Sequence, residues 1–151
     1  MDMLSKASEY AIRALVYIET KNRGNNRPGY REIAAAIDAP EQFTAKILQS
    51  LVRQGMLNSV RGRGGGFFFD ADADPLKLVD VITSVEGNKL FTKCGIGLSQ
   101  CSSESPCPIH HEYAVIRDRY LNLVSQTTIQ ILADRIMEGD AVLNRLNLLD
   151  S

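Results

Sequence analysis

Leu4, Ala7, Ala11, Leu15 and Ile18 recur at intervals of three or four, the period of one helical face, and predict an amphipathic helix over residues 3–20. The glycine-, asparagine- and proline-rich stretch KNRGNNRPGY ends it. A second, short helix follows in YREIAAAID, buried through Ile33, Ala34 and Ile37, and Pro40 suits the first position of a third. In that third helix, PEQFTAKILQSLVRQG, a turn of about 100° per residue puts Phe43, Ile47, Leu48, Leu51 and Val52 on one side. Gln42, Ala45, Lys46, Gln49 and Arg53 fall on the other side, a stripe of amides and cations without a carboxylate, and Gly55 is the natural stop.

The period then changes. MLNSVRGRGGGFFFD predicts a short strand over Leu57 to Val60, a tight loop holding Arg61 and Arg63 among four glycines, and a return strand of three phenylalanines. PLKLVDVITSVEG returns to helical spacing through Leu76, Val79, Ile82 and Val85, with Gly87 as its stop. After Pro108, the residues Tyr113, Ile116, Tyr120, Leu123, Thr127 and Ile131 share one seam before Gly139. A helix of roughly 25 residues, against a mean of about 11 to 12, protrudes from a small domain unless a second chain covers its apolar stripe. The reading is a dimerisation helix.

The fold class expected is mainly α with a small β-hairpin wing: a winged helix-turn-helix plus a long C-terminal dimerisation helix. Residues 1–72 form the winged unit, 73–92 a connecting helix, 93–110 a cysteine-rich loop, 111–138 the dimerisation helix and 139–151 a tail. No internal repeat is visible, and 44% hydrophobic residues in a chain of 151 support a real core.

Charge sharpens this picture. Residues 1–66 carry ten Lys/Arg against six Asp/Glu, whereas residues 67–151 carry seven against twelve. A basic half beside an acidic one points to a polyanionic partner for the first. Lys6, Glu9 and Arg13 interrupt the N-terminal apolar run, and no run of 18 apolar residues occurs, so the expectation is a cytoplasmic protein with no membrane partner.

An outward polar stripe on a helix about 10 to 12 Å wide matches the major groove of B-DNA, about 12 Å across. Gln42, Ala45, Lys46, Gln49 and Arg53 are therefore candidate DNA-binding residues on the third helix, with Arg61 and Arg63 at the hairpin tip reaching phosphates or a minor groove. Two protomers joined by the long helix present two reading helices, which implies double-stranded DNA with a near-palindromic operator. An enzyme is the rival class, but there is no C-x-x-C pair, no nucleotide-binding glycine motif before a helix and no evident nucleophile with its base.

All three cysteines and both histidines crowd into CGIGLSQCSSESPCPIHH, with the spacing C-x6-C-x5-C-x2-H-H. Soft thiolates suit an iron-sulfur cluster, zinc or copper(I). The gaps exceed the two to four residues usual between paired zinc-finger ligands. Four readings stand side by side: a cluster, structural zinc, a redox disulfide with one spare thiol, and inert buried cysteines.

The stretches LSKASEYAIRAL, REIAAAIDAPEQFTAKILQSLVRQGMLNSVRGRGGGF and LVDVITSVEG, followed by a three-cysteine loop, resemble the Rrf family of bacterial transcription regulators, IscR-like and NsrR-like members included. The likeness covers nearly the whole chain, and SVRGRGGGF is its most specific part. It implies a homodimeric regulator, a repressor by the main reading, with a winged helix-turn-helix at each end. It also implies a [2Fe-2S] or [4Fe-4S] cluster ligated by Cys94, Cys101 and Cys107, through which iron-sulfur status, nitric oxide or redox state is sensed. In IscR-like members a histidine three residues after the last cysteine is the fourth ligand, the place of His110; in NsrR-like members an acidic residue from the partner's first helix serves, the place of Glu9. The first cysteine gap is one residue longer than in the best-known members, so cluster type and fourth ligand stay open. The alternative is the same regulator without a cluster, with zinc or free thiols in the loop and control by a partner protein or small molecule.

Overall fold

The computed structural model describes residues 3–145; the last six residues of the expected tail lie outside that range. Helix α1 spans Lys6–Arg23, later at both ends than the apolar spacing suggested. Ser5 sets its start: the Ser5 hydroxyl accepts from the Ser8 N–H at 3.1 Å, satisfying one of the orphan donors of the first turn. Helix α2 spans Tyr30–Ile37 and closes on Asp38 in the left-handed region, φ 56°. Helix α3 spans Glu41–Arg53.

Two details of α3 differ from the expectation. Pro40 is the extended cap residue (φ −62°, ψ 135°) and the helix begins one residue later. Phe43 is not in the core; it is 40% exposed and rests edge-on against Tyr10, with ring centroids 5.6 Å apart. Thr44 takes the buried place, its hydroxyl donating to the Pro40 carbonyl at 2.8 Å, which neutralises the polar group that burial would otherwise leave unpaired.

The hydrophobic core joins Leu15 and Ile18 of α1, Ile33 and Ile37 of α2, Leu48 and Leu51 of α3, and Leu57. Strands β1 (Asn58–Val60) and β2 (Gly66–Phe68) pair antiparallel, Ser59 opposite Phe67. The hairpin is fastened to the body by the Phe67 N–H, which donates to the Pro28 carbonyl at 2.9 Å, and by the Phe69 N–H, which donates to Asn22 Oδ1 at 2.9 Å. Gly66 has φ 149°, and a Cβ there would sit 2.1 Å from the Arg27 carbonyl oxygen. Only glycine allows that approach.

Helix α4 (Leu78–Glu86) leads through Gly87 into a single unforeseen turn, α5 (Lys89–Thr92). After the cysteine loop the expected long helix is two helices, α6 (His110–Gln126) and α7 (Ile129–Met137). Thr127 and Thr128 between them are extended (ψ 130° and 160°), and the Thr128 hydroxyl caps α7 by accepting from the Ile131 N–H. The break is stabilised by a short bridge to the segment before α4. The Leu78 N–H donates to the Thr127 carbonyl at 2.9 Å, and the Ile129 N–H donates to the Leu76 carbonyl at 2.8 Å. Helix α7 then folds back on α1, burying Ile129 and Ala133 completely, and Arg23 clasps Asp134 at 2.6 Å. Thr127 and Ile131 therefore leave the seam that Tyr113 to Leu123 were expected to extend. Among the described residues, no helix is long and apolar enough to cross a membrane.

Candidate functional site

Two places carry the candidate residues. The first lies between α3 and the wing. Gln42, Lys46, Gln49 and Arg53 are exposed along α3, Ala45 is half-buried among them, and Arg61 and Arg63 are exposed at the hairpin turn. A groove of about 840 Å³ runs between the two elements, and Gln49, Arg53 and Arg61 line it together with Tyr30, Ser59 and Phe67. The fold thus converts residues 49, 53 and 61 into one surface, while Gln42 and Lys46 continue it along the helix and Arg63 extends it past the tip. None of Lys46, Arg53, Arg61 and Arg63 has a carboxylate within ion-pairing distance among the described residues; the ion pairs there engage Lys6, Arg23 and Arg31. Unneutralised cations at the edge of a concave surface are suited to phosphate.

The second place is the loop from Cys94 to His110. Cys94, just past α5, is buried, whereas Cys101 and Cys107 are partly exposed. The neighbouring backbone amides of Ile96 and Leu98, with Cys107 and Gly97 adding to them, hold the Cys94 thiol below the ordinary range in spite of burial. Burial pushes the Cys107 thiol up, and the neighbouring Cys94 adds to that rise. Cys101 Sγ lies 3.4 Å from His110 Nδ1. His111 is exposed and only packs edge-on against His110, at 5.2 Å between centroids. Glu9 is on α1, paired with Lys6 at 3.4 Å.

One residue of this loop's surroundings escaped the sequence reading. Arg117 of α6 faces Cys101, and that neighbour raises the guanidinium's own pKa. It also donates through Nη1 to the Lys93 carbonyl at 3.2 Å, and its Nε is buried without a hydrogen-bond partner. No spacing rule points to an arginine ten positions after the last cysteine; only the turn of α6 over the loop brings it there.

Among the described residues, no group of three or more His, Cys, Asp or Glu converges closely enough to hold a metal ion. Cys94 neighbours Cys107, and Cys101 lies near both Cys107 and His110. As a donor set they fit a soft metal group. Three thiols and an imidazole share one loop, one sulfur sits in a cradle of N–H donors, and the guanidinium facing Cys101 retains an unused buried donor.

The Rrf2 family profile, described as an iron-dependent transcriptional regulator, matches residues 4–135. The HTH-type transcriptional regulator NsrR of Bacillus licheniformis is 25% identical over 140 residues, covering 92% of this chain and 95% of that protein. The HTH-type transcriptional regulator IscR of Escherichia coli is 23% identical over 126 residues, covering 83% and 76%. Among solved structures, CymR of B. subtilis, described as its global cysteine regulator, aligns with a TM-score of 0.70 at 21% identity, over 89% of this chain and 98% of that one.

Proposed function

The chain belongs to the Rrf2 family of transcriptional regulators, DNA-binding proteins and not enzymes, and from that premise we propose that it is a dimeric cytoplasmic repressor whose cysteine loop senses iron-sulfur status, nitric oxide or redox state. The observation that carries the DNA half is the groove shared by Gln49, Arg53 and Arg61. Helix α3 enters the major groove; Gln42 and Gln49 offer amides to base edges, and Ala45 lets the backbone come close. Lys46 and Arg53 meet flanking phosphates, and the tip arginines Arg61 and Arg63 reach the adjacent backbone or minor groove. Val115, Ile116 and Leu123 of α6, each more than half exposed, supply the face on which a second copy docks, so the operator is near-palindromic.

Cys94, Cys101 and Cys107 would hold an iron-sulfur cluster, with His110, or Glu9 of the partner subunit, as the fourth ligand; bound there, the cluster supplies an oxidisable, nitric-oxide-reactive centre. The protein's part is mechanical and electrostatic. The Ile96 to Leu98 amides stabilise the Cys94 thiolate, and Arg117 balances negative charge at Cys101. The loop links α5 to α6, so a change in its order moves the dimer helix and with it the spacing of the reading heads. A bias of about 1.4 kcal/mol between competent and incompetent states gives a tenfold change in affinity.

The proximity of Cys94 and Cys107 favours a second reading, a thiol-based regulator without a cluster, answering to a partner protein or small molecule. Anaerobic purification with iron and sulfide assays separates the two, since a cluster colours the protein brown and zinc or free thiols do not. DNA binding of loaded and cluster-free protein at fixed salt then tests the switch: equal affinity sinks it. Lack of preference for any duplex over random competitor sinks the DNA reading itself.

A further inference from the structure

Basic groups also gather on the flank of the wing away from α3. The turn between α1 and α2 holds Asn25 at φ 64° and is laced to β2 by the Pro28–Phe67 bond and by Asn22, whose Nδ2 donates to the Phe67 carbonyl at 3.2 Å. Arg27 stands in that turn, exposed, with its guanidinium carbon 3.9 Å from the centroid of the Phe68 ring. Stacking occupies the guanidinium's face and leaves its N–H edges free. Among the described residues no carboxylate is within ion-pairing distance of it.

Beside Arg27 opens a groove of about 400 Å³, lined also by Lys21, Asn25, Asn26 and the wing residues Gly64 and Gly65. Glu32 reaches the same groove, its carboxylate held by the Tyr17 hydroxyl at 2.7 Å, and its charge opposes part of the positive potential of Lys21 and Arg27. Asp70 lies on the other side of Arg27, in a separate groove with Phe68 and Phe69. Gly64 in the groove's lining adjoins Arg63 in the chain, at the tip assigned above to DNA. An arginine fixed in advance on an aromatic ring loses little side-chain freedom when it hydrogen-bonds a planar or tetrahedral oxyanion.

We propose that Arg27 is a DNA-backbone contact: stacked on Phe68, it grips a phosphate next to the one reached by the wing tip, with Lys21 adding positive potential in the same groove. The proposal rests on the reading that the wing meets duplex DNA. It makes the α1–α2 turn a second grip on the backbone, sequence-blind, which fixes how deep the wing sits.

The test compares the full chain with Arg27→Ala, Arg27→Lys, Phe68→Leu and the double variant Arg61→Ala/Arg63→Ala. Each is titrated against a duplex selected from a random pool, and against random duplex, over a series of salt concentrations. Arg27→Ala weakens both duplexes roughly three- to tenfold and reduces the salt slope by about one. Arg27→Lys keeps the slope while recovering part of the affinity, and Phe68→Leu weakens binding with the slope intact. Arg27→Ala with unchanged affinity and slope, beside a double variant that loses binding, overturns the proposal and leaves the wing reading standing. So does a loss of affinity that comes with a lower melting temperature and an unaltered slope, the mark of a purely structural role. A parent chain that binds no duplex overturns both.

Discussion

The Glu86 carboxylate accepts the Ser5 hydroxyl at 2.8 Å across 81 positions of sequence. The same oxygen takes the Ser5 N–H at 3.1 Å and the hydroxyl of the fully buried Ser8. The last residue of α4, one step before the chain turns toward the cysteine loop, is thereby tied to the cap of the first helix of the DNA-binding unit.

Glu86→Ala leaves the buried Ser8 hydroxyl without its acceptor and lowers stability by about 1–3 kcal/mol, read as a drop in melting temperature. Burial pushes the Glu86 carboxyl up, but hydrogen bonds from Ser8 and Ser5 outweigh it and hold the folded value below the ordinary one. Its contribution is therefore complete above the ordinary carboxylate range and is lost as pH falls through the depressed folded value. The gap between parent and variant is widest near neutrality and narrows in acid. A constant gap across that range contradicts the assignment.

On the proposed wing contact with the backbone, Arg61→Ala with Arg63→Ala weakens binding to operator and random duplex alike. The slope of log affinity against log salt falls by about two if each neutralises one phosphate. A gel-shift series with unaltered affinity and slope rules out the wing contact.

Arg117→Ala removes the donor that faces Cys101 and the link to the Lys93 carbonyl. In cluster-loaded protein the visible absorbance decays faster under air than in the parent, and Arg117→Lys restores part of the lifetime. Cys94→Ala prevents loading altogether, read as loss of bound iron and sulfide. If both variants match the parent spectrum and lifetime, the loop does not hold the cluster.

Ile116→Asp with Leu123→Asp places two charges on the exposed face of α6, where both apolar side chains are 58% exposed. Light scattering then reports a monomer in place of a dimer, and operator affinity falls with it because only one half-site is held. The core lies elsewhere, so the melting curve of the monomeric unit stays cooperative. A dimer that survives the substitution assigns the interface to another surface.

Much of the fold is local chemistry. The alternation of apolar and polar residues across positions 41–53 prescribes both the inner face of α3 and its outer stripe of amides and cations, because helical geometry maps spacing onto direction. The RGRGGG stretch prescribes a sharp turn with charges at its tip, since only glycine reaches the backbone conformations required. The crowding of three thiols and two histidines is visible from spacing alone.

What tertiary structure decided is where those pieces meet. Residues 110–137 are apolar at helical period throughout, and nothing local forbids one long helix; the break at Thr127–Thr128 arises because residues 76–78 offer backbone partners and α1 offers an apolar surface for Ile129 and Ala133. Phe43 yields the core to Thr44 because Pro40 supplies an acceptor for its hydroxyl. Arg27 on Phe68, Arg117 on Cys101 and Glu86 on Ser5 are likewise meetings of residues far apart in the chain. Periodicity records the preference of each segment for a face, whereas long-range pairing depends on which faces compete for the same partner, and that competition is resolved only when all the segments pack together.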